Sequence, residues 1–301
     1  MTETPHDVRT PEAAPPPERQ TTPFLVLQFF IFPMAIVAVC VTVFVVFGLI
    51  ASEGKGARDY LGEVRSGGAN RRWQAAFELS KLLLARKDPA LSEPGFVSEV
   101  VALFDEAGRD DPRVRRYLAL ALGRLADARA VPALLKAVRA DEPDAPPQDA
   151  ETQVYALWAL GAIGDPAALP DLVRLGISED PGIRKAATHA LGAFPGPEAH
   201  AALLRALGDA TDDVRWNAAL ALARRHELAA TPVLRQMLDR QHLARVPGLS
   251  DEQREQAMLA AVQASDDLGD PTLRSALEAL RAGDASLRVR EAARVALERR
   301  Q

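Results

Sequence analysis

Between residues 71 and 298 one helical phrase recurs, and this repetition constrains the fold more than any other feature. RRWQAAFEL begins at Arg71, VRRYLALALG at Val114 and TQVYALWALG at Thr152. IRKAATHALG begins at Ile183, VRWNAALALA at Val214, REQAMLAAVQ at Arg254 and VREAARVALE at Val289. The steps from Thr152 to Ile183 and from Ile183 to Val214 are both 31 residues. The full pattern sets apolar side chains at offsets 0, 4, 5 and 8, the spacing of a helix with one buried stripe. A single unit of this size cannot enclose its stripe, so the units must stack on one another.

A shorter first helix precedes several of these phrases: AVPALLKAV at 130–138, ALPDLV at 168–173 and ATPVL at 230–234. Pro132, Pro170 and Pro232 fall in the first turn, where a missing N–H costs nothing. The pairing resembles the HEAT repeat, in particular its bacterial, phycobilisome-lyase-like variety, whose second helix reads D-x-x-V-R-x-x-A-A-x-A-L-G. The resemblance covers residues 57–301 in about seven repeats and is strongest over 111–223. The Arg71 and Arg254 phrases lack the aliphatic anchor, and the Thr152 phrase lacks the Val-Arg pair. What the resemblance implies is an all-α solenoid of helical hairpins. It also implies that Arg72, Arg115, Arg184, Arg215 and Arg290, near Asp111, Asp180 and Asp212, form a ladder between neighbouring repeats.

The pairs Leu122-Gly123, Leu160-Gly161 and Leu191-Gly192 are expected to end or narrow a helix where the chain turns. DEPDAPPQDA at 141–150 and HLARVPGLS at 242–250 lengthen two turns and read as solvated loops.

The N-terminal part is different. Residues 1–20 are proline-rich and polar, which predicts a disordered tail. Residues 21–52 carry no charged side chain and hold six of the ten phenylalanines. A helix over this stretch would exceed the ~30 Å hydrocarbon layer, so one transmembrane helix is expected, with Pro33 as a kink or an entry point. Residues 53–301 then form the HEAT-repeat solenoid. Lys55, Arg58, Arg65, Arg71 and Arg72 outnumber Arg9 and Arg19. The positive-inside bias therefore predicts a single-pass protein of a bacterial inner membrane with the solenoid in the cytoplasm.

The formal net charge is -5, which argues against a nucleic-acid partner. Cys40 is the single cysteine, so no intramolecular disulfide and no cysteine metal cage can form. The five histidines do not pair at metal-binding spacing, and no Walker A, Rossmann or G-x-S-x-G pattern occurs. No catalytic, cofactor or metal residue and no small-molecule substrate is therefore expected, and the chain reads as a non-enzyme.

Offsets 2, 3 and 6 of the second helix lie away from the apolar stripe and should face the concave surface. They hold Trp73 and Phe77, Arg116 and Tyr117, Tyr155 and Trp158, Lys185 and His189, then Trp216 and Asn217. Aromatic and arginine side chains on one face have the composition of a protein-binding patch. The leading expectation is a membrane-anchored scaffold or adaptor whose row binds a protein partner, such as a transporter complex. The alternative is a bilin-lyase-like enzyme or chaperone built on the same solenoid.

Overall fold

A computed structural model describes residues 31–51, 55–85, 87–108, 110–139 and 149–299. Every regular element among them is helical. The chain divides into two compact units, Met1–Gly54 and Lys55–Gln301.

In the first unit, α1 runs over Phe32–Ala51. Pro33 is the second residue of this α-helix; the segment before Ile31, on which the expected kink or entry point depends, lies outside the described residues. The expected membrane span is corrected here. Among the described residues no helix is long and apolar enough to cross a membrane. The single-pass location and the cytoplasmic orientation lose their basis with it. The expected disordered tail, 1–20, lies outside the described residues.

The second unit is a run of helical hairpins. α2 (Ala57–Ser66) pairs with α3 (Ala69–Ala85), and α4 (Phe96–Ala107) with α5 (Pro112–Leu125). α6 (Val131–Val138) pairs with α7 (Ala150–Ile163), α8 (Leu169–Leu175) with α9 (Pro181–Leu191), and α10 (Pro197–Ala206) with α11 (Asp212–Ala223). The sixth hairpin inserts a short helix: α12 (Thr231–Met237), α13 (Arg240–Ala244) and α14 (Asp251–Leu268). α15 (Arg274–Gly283) and α16 (Leu287–Glu298) complete the array. The second helices α3, α5, α7, α9, α11, α14 and α16 stack in succession. This is the solenoid-like repeat fold that the periodicity predicts.

Aspartate sets the helix starts. Asp111 accepts from the Arg113 N–H at 2.9 Å, Asp149 from Thr152 at 3.1 Å and Asp180 from Gly182 at 2.7 Å. Each bond satisfies a donor that the first turn leaves free. Pro132, Pro170 and Pro232 occupy first turns as expected. The stripe residues Leu118, Leu122, Leu157 and Leu160 are fully buried. Each such side chain contributes roughly 1.5–3 kcal/mol through removal from water.

Two expectations change. Gly123 and Gly161 do not end their helices; they lie inside α5 and α7, and only Gly192 is a C-cap. A Cβ on Gly123 would come 2.8 Å from the Ala159 Cα, and one on Gly161 would come 2.8 Å from the Ala190 Cα. The glycines are there because the next helix presses on the backbone. The 242–250 segment is also less open than expected, since α13 takes its first residues and Leu243 is buried. Residues 141–148 of the other inserted segment, 141–150, lie outside the described residues.

The arginine ladder is partial. Arg184 donates to the Ser178 and Glu179 carbonyls at 2.9 Å and pairs with Asp209 of the next hairpin at 2.8 Å. Arg72 donates to the Val64 carbonyl at 2.9 Å and pairs with Asp110 of the next hairpin. Arg215 donates to the Asp209 and Ala210 carbonyls of its own turn. Arg115 is instead buried against Phe104, its guanidinium carbon 4.9 Å from the ring centroid. Burial pushes this guanidinium below its ordinary range.

Candidate protein-binding face

The exposed row of second helices gathers the sequence candidates into two clusters. The first joins α3, α5 and α7. The Trp73 and Tyr117 rings are 6.4 Å apart at 30°, and Tyr155 meets Tyr117 edge-on at 6.4 Å. Phe77, 37% exposed, meets Tyr117 edge-on at 5.1 Å. Such offset and edge-to-face pairs fix ring orientation beyond simple burial. Cations cover two rings: the Arg113 guanidinium lies 5.4 Å from Trp73 and the Lys81 ammonium 5.2 Å from Phe77.

Arg116 borders this cluster. Its Nε donates to Asp149 at 2.7 Å across to the next hairpin, and the guanidinium also pairs with Glu151. The hydrogen bond to Asp149 outweighs partial burial and holds the guanidinium above its ordinary range. For Asp149, burial works upward, but bonds from Arg116 and Thr152 together hold it below the ordinary carboxylate value.

The second cluster joins α9 and α11. Lys185 pairs with Asp213, and His189 Nδ1 lies 3.3 Å from the Asn217 Oδ1. Asn217 in turn donates to the Asp213 carbonyl at 2.7 Å. The remaining candidates sit in packing positions. Trp158 presses on Gly123, where an added Cβ would come 2.7 Å from the indole. Trp216 is only 6% exposed and its Nε1 is buried without a hydrogen bond.

Sequence reasoning missed Arg113, Lys81, Asp149, Glu151 and Asp213. The spacing held a signal for one of them: Lys81 follows Phe77 by four residues, the interval at which helical side chains meet, whereas Arg113 covers Trp73 of the preceding hairpin. The carboxylates that cross between hairpins carry no such local mark. A separate polar groove of about 540 Å³ lies at the first hairpin, lined by Lys55, Tyr60, Glu63, Arg71, Gln74 and Glu78. Among the described residues no group of His, Cys, Asp or Glu could hold a metal ion.

Residues 144–223 match HEAT repeats, and residues 114–139 match the PBS lyase HEAT-like repeat. The chain carries HEAT repeats of the PBS-lyase-like kind. No curated protein sequence matches it. Among solved structures, the complex of CpcE and CpcF of phycocyanin lyase from Nostoc sp. is similar at a TM-score of 0.53 and 19% identity. That likeness covers 83% of this chain and 97% of that one, and it bears on the fold. Human deoxyhypusine hydroxylase is similar at 20% identity and a TM-score of 0.33, over 81% of this chain and 95% of that one. A designed armadillo repeat protein in complex with a (KR)4 peptide is similar at 18% identity and a TM-score of 0.43, over 82% of this chain and 100% of that one.

The match of residues 114–139 to the PBS lyase HEAT-like repeat corrects the expectation of a non-enzyme: the lack of a familiar catalytic motif is no ground for excluding catalysis. HEAT-type arrays commonly bind proteins, which supports a protein partner; a membrane complex as that partner has no support.

Proposed function

We propose that the chain is a lyase-like HEAT-repeat protein that seats a protein substrate on its second-helix face, for chromophore attachment or for chaperoning. The observation that carries this reading is the partly open aromatic cluster at Trp73, Phe77, Tyr117 and Tyr155, bordered by Arg113 and Arg116. Rings with few rotatable bonds give contact area at little entropic cost, and Arg adds a planar donor fork. The lyase-type match over 114–139 includes Arg116 and Tyr117, which supports the same face. The likeness to a phycocyanin lyase supports a linear tetrapyrrole as the group handled and a phycobiliprotein-like subunit as the acceptor.

The test is to mix the purified chain with a linear tetrapyrrole and an acceptor subunit, then follow both association and visible absorbance of the acceptor. The expected outcome is an acceptor that gains colour faster with the chain present. Phe77→Ala, which removes an exposed ring, should weaken acceptor association about tenfold, the equivalent of ~1.4 kcal/mol. Association without colour would select the chaperone form. No association, or association that Phe77→Ala leaves unchanged, would sink the reading.

A further inference from the structure

We propose that the sixth and seventh hairpins, α12 to α16, open and swing as a segment separate from the first five, with the junction at Trp216 as the pivot. The inference stands apart from the function proposed above and comes from how successive hairpins are tied. Two residues after the anchor, the second helix points toward the following hairpin. At this register Arg116 of α5 reaches Asp149 at 2.7 Å, and Lys185 of α9 reaches Asp213. In α11 the same register holds Trp216, which is buried in the apolar core; Trp73 of α3 and Val154 of α7 are also uncharged there, but their junctions are tied by Arg72 to Asp110 and by Arg139 to Asp171.

That substitution changes the kind of contact. A charge-assisted bond is directional and fixes one arrangement of two helices. An apolar contact is non-directional and tolerates sliding. The indole N–H is shielded and makes no hydrogen bond, so no directional bond anchors the ring. The ion pair described across this junction is His200 Nε2 to Glu227 Oε2 at 3.6 Å, with both side chains more than a third exposed. That distance is beyond a hydrogen bond.

The flanking junctions contrast with it. Before the pivot, Arg225 donates to the Phe194 carbonyl at 2.6 Å and Arg184 holds Asp209 at 2.8 Å. After it, Arg240 holds Asp284 at 2.7 Å. The extra α13 and the left-handed Gly248, at φ 75°, also interrupt the sixth hairpin. In a linear array stability is a sum of repeat terms and junction terms, so a weakly directed junction is where one cooperative unit divides into two.

The experiment is native-state hydrogen exchange of the full chain, read by mass spectrometry at rising denaturant. Peptides from α14 and α16 should share one opening isotherm and exchange at least about tenfold faster than peptides from α5, α7 and α9. In Trp216→Ala, α14 and α16 should open about tenfold more readily, while α5 and α7 stay within about twofold of the parent. A single isotherm for all second helices in the parent chain, which needs no variant to fold, overturns the proposal. So does an equal rise in exchange across all helices in Trp216→Ala.

Discussion

Hairpins two to four and hairpins six and seven solve the same stacking problem with different atoms. In the former, a glycine lets the next helix come down on its backbone. Gly123 receives Trp158 and Ala159, and Gly161 receives Ala190, so close that a methyl group would fit at neither position without a shift. In the latter, long side chains reach across. Arg240 grips Asp284 at 2.7 and 2.9 Å, Arg288 reaches Glu255 at 2.8 Å and Arg299 reaches Asp266 at 3.2 Å. Backbone contact is rigid and indifferent to pH, because nothing in it titrates. An ion-paired junction is specific but responds to every change in charge. The partly open aromatic cluster lies on the first kind of support, which suits a surface that must hold its ring positions before a partner arrives.

The sharpest way to break this contrast is to fill the glycine seat. Gly161→Val should cost about 3 kcal/mol, because the branched side chain meets the Ala190 backbone rather than a movable tip. Urea unfolding followed by circular dichroism would measure it. A loss under about 1 kcal/mol would mean that the helices separate easily and the close approach is incidental. Asp284→Ala should come next, at about 2 kcal/mol, since it leaves Arg240 unpaired and strips the acceptor from the Ser286 N–H, bonded at 2.8 Å. Hydrogen exchange should place that loss in α15 and α16 and leave α5 to α9 untouched.

How much of this contrast the sequence could disclose depends on the range of the interaction. The hairpins were legible because their signals are local: a stripe at offsets 0, 4, 5 and 8, an aspartate before each turn, a proline in the first turn. The clustering of aromatic side chains was legible for the same reason, since Tyr117 and Tyr155 occupy matching registers on successive helices and Trp73 the adjacent one. What each ring does was not. Trp158 and Trp216 share the row by spacing, yet one fills a glycine seat and the other is buried at a junction, and only the neighbouring helix decides that. The glycines misled for a related reason. A glycine after leucine reads as a helix end by itself, but at 123 and 161 it answers a neighbour some thirty residues away. The apolar stretch at 21–52 misled differently: apolar composition alone does not establish a helix long and apolar enough to cross a membrane, and among the described residues there is none.

The gentlest test uses acid. Burial works to raise Asp284, but the bonds from Arg240 and the Ser286 N–H outweigh it and hold the carboxyl below its ordinary 3.8. The same balance, with Arg184 and Thr211 as donors, holds Asp209 low. A carboxyl whose folded value is depressed binds fewer protons when folded than when unfolded. Its stabilisation is therefore complete well above pH 3.8 and fades as pH falls through the depressed folded value. Asp149 and Asp171 in hairpins three and four are also held low, by Arg116 and Arg139, so their junctions weaken too. Those junctions keep the contacts at Gly123 and Gly161, which acid does not touch. Exchange in α15 and α16 should consequently rise at a higher pH than exchange in α5 and α7. Simultaneous loss in both regions would mean that the glycine seats add nothing the ion pairs do not, and the distinction between the two kinds of junction would fail.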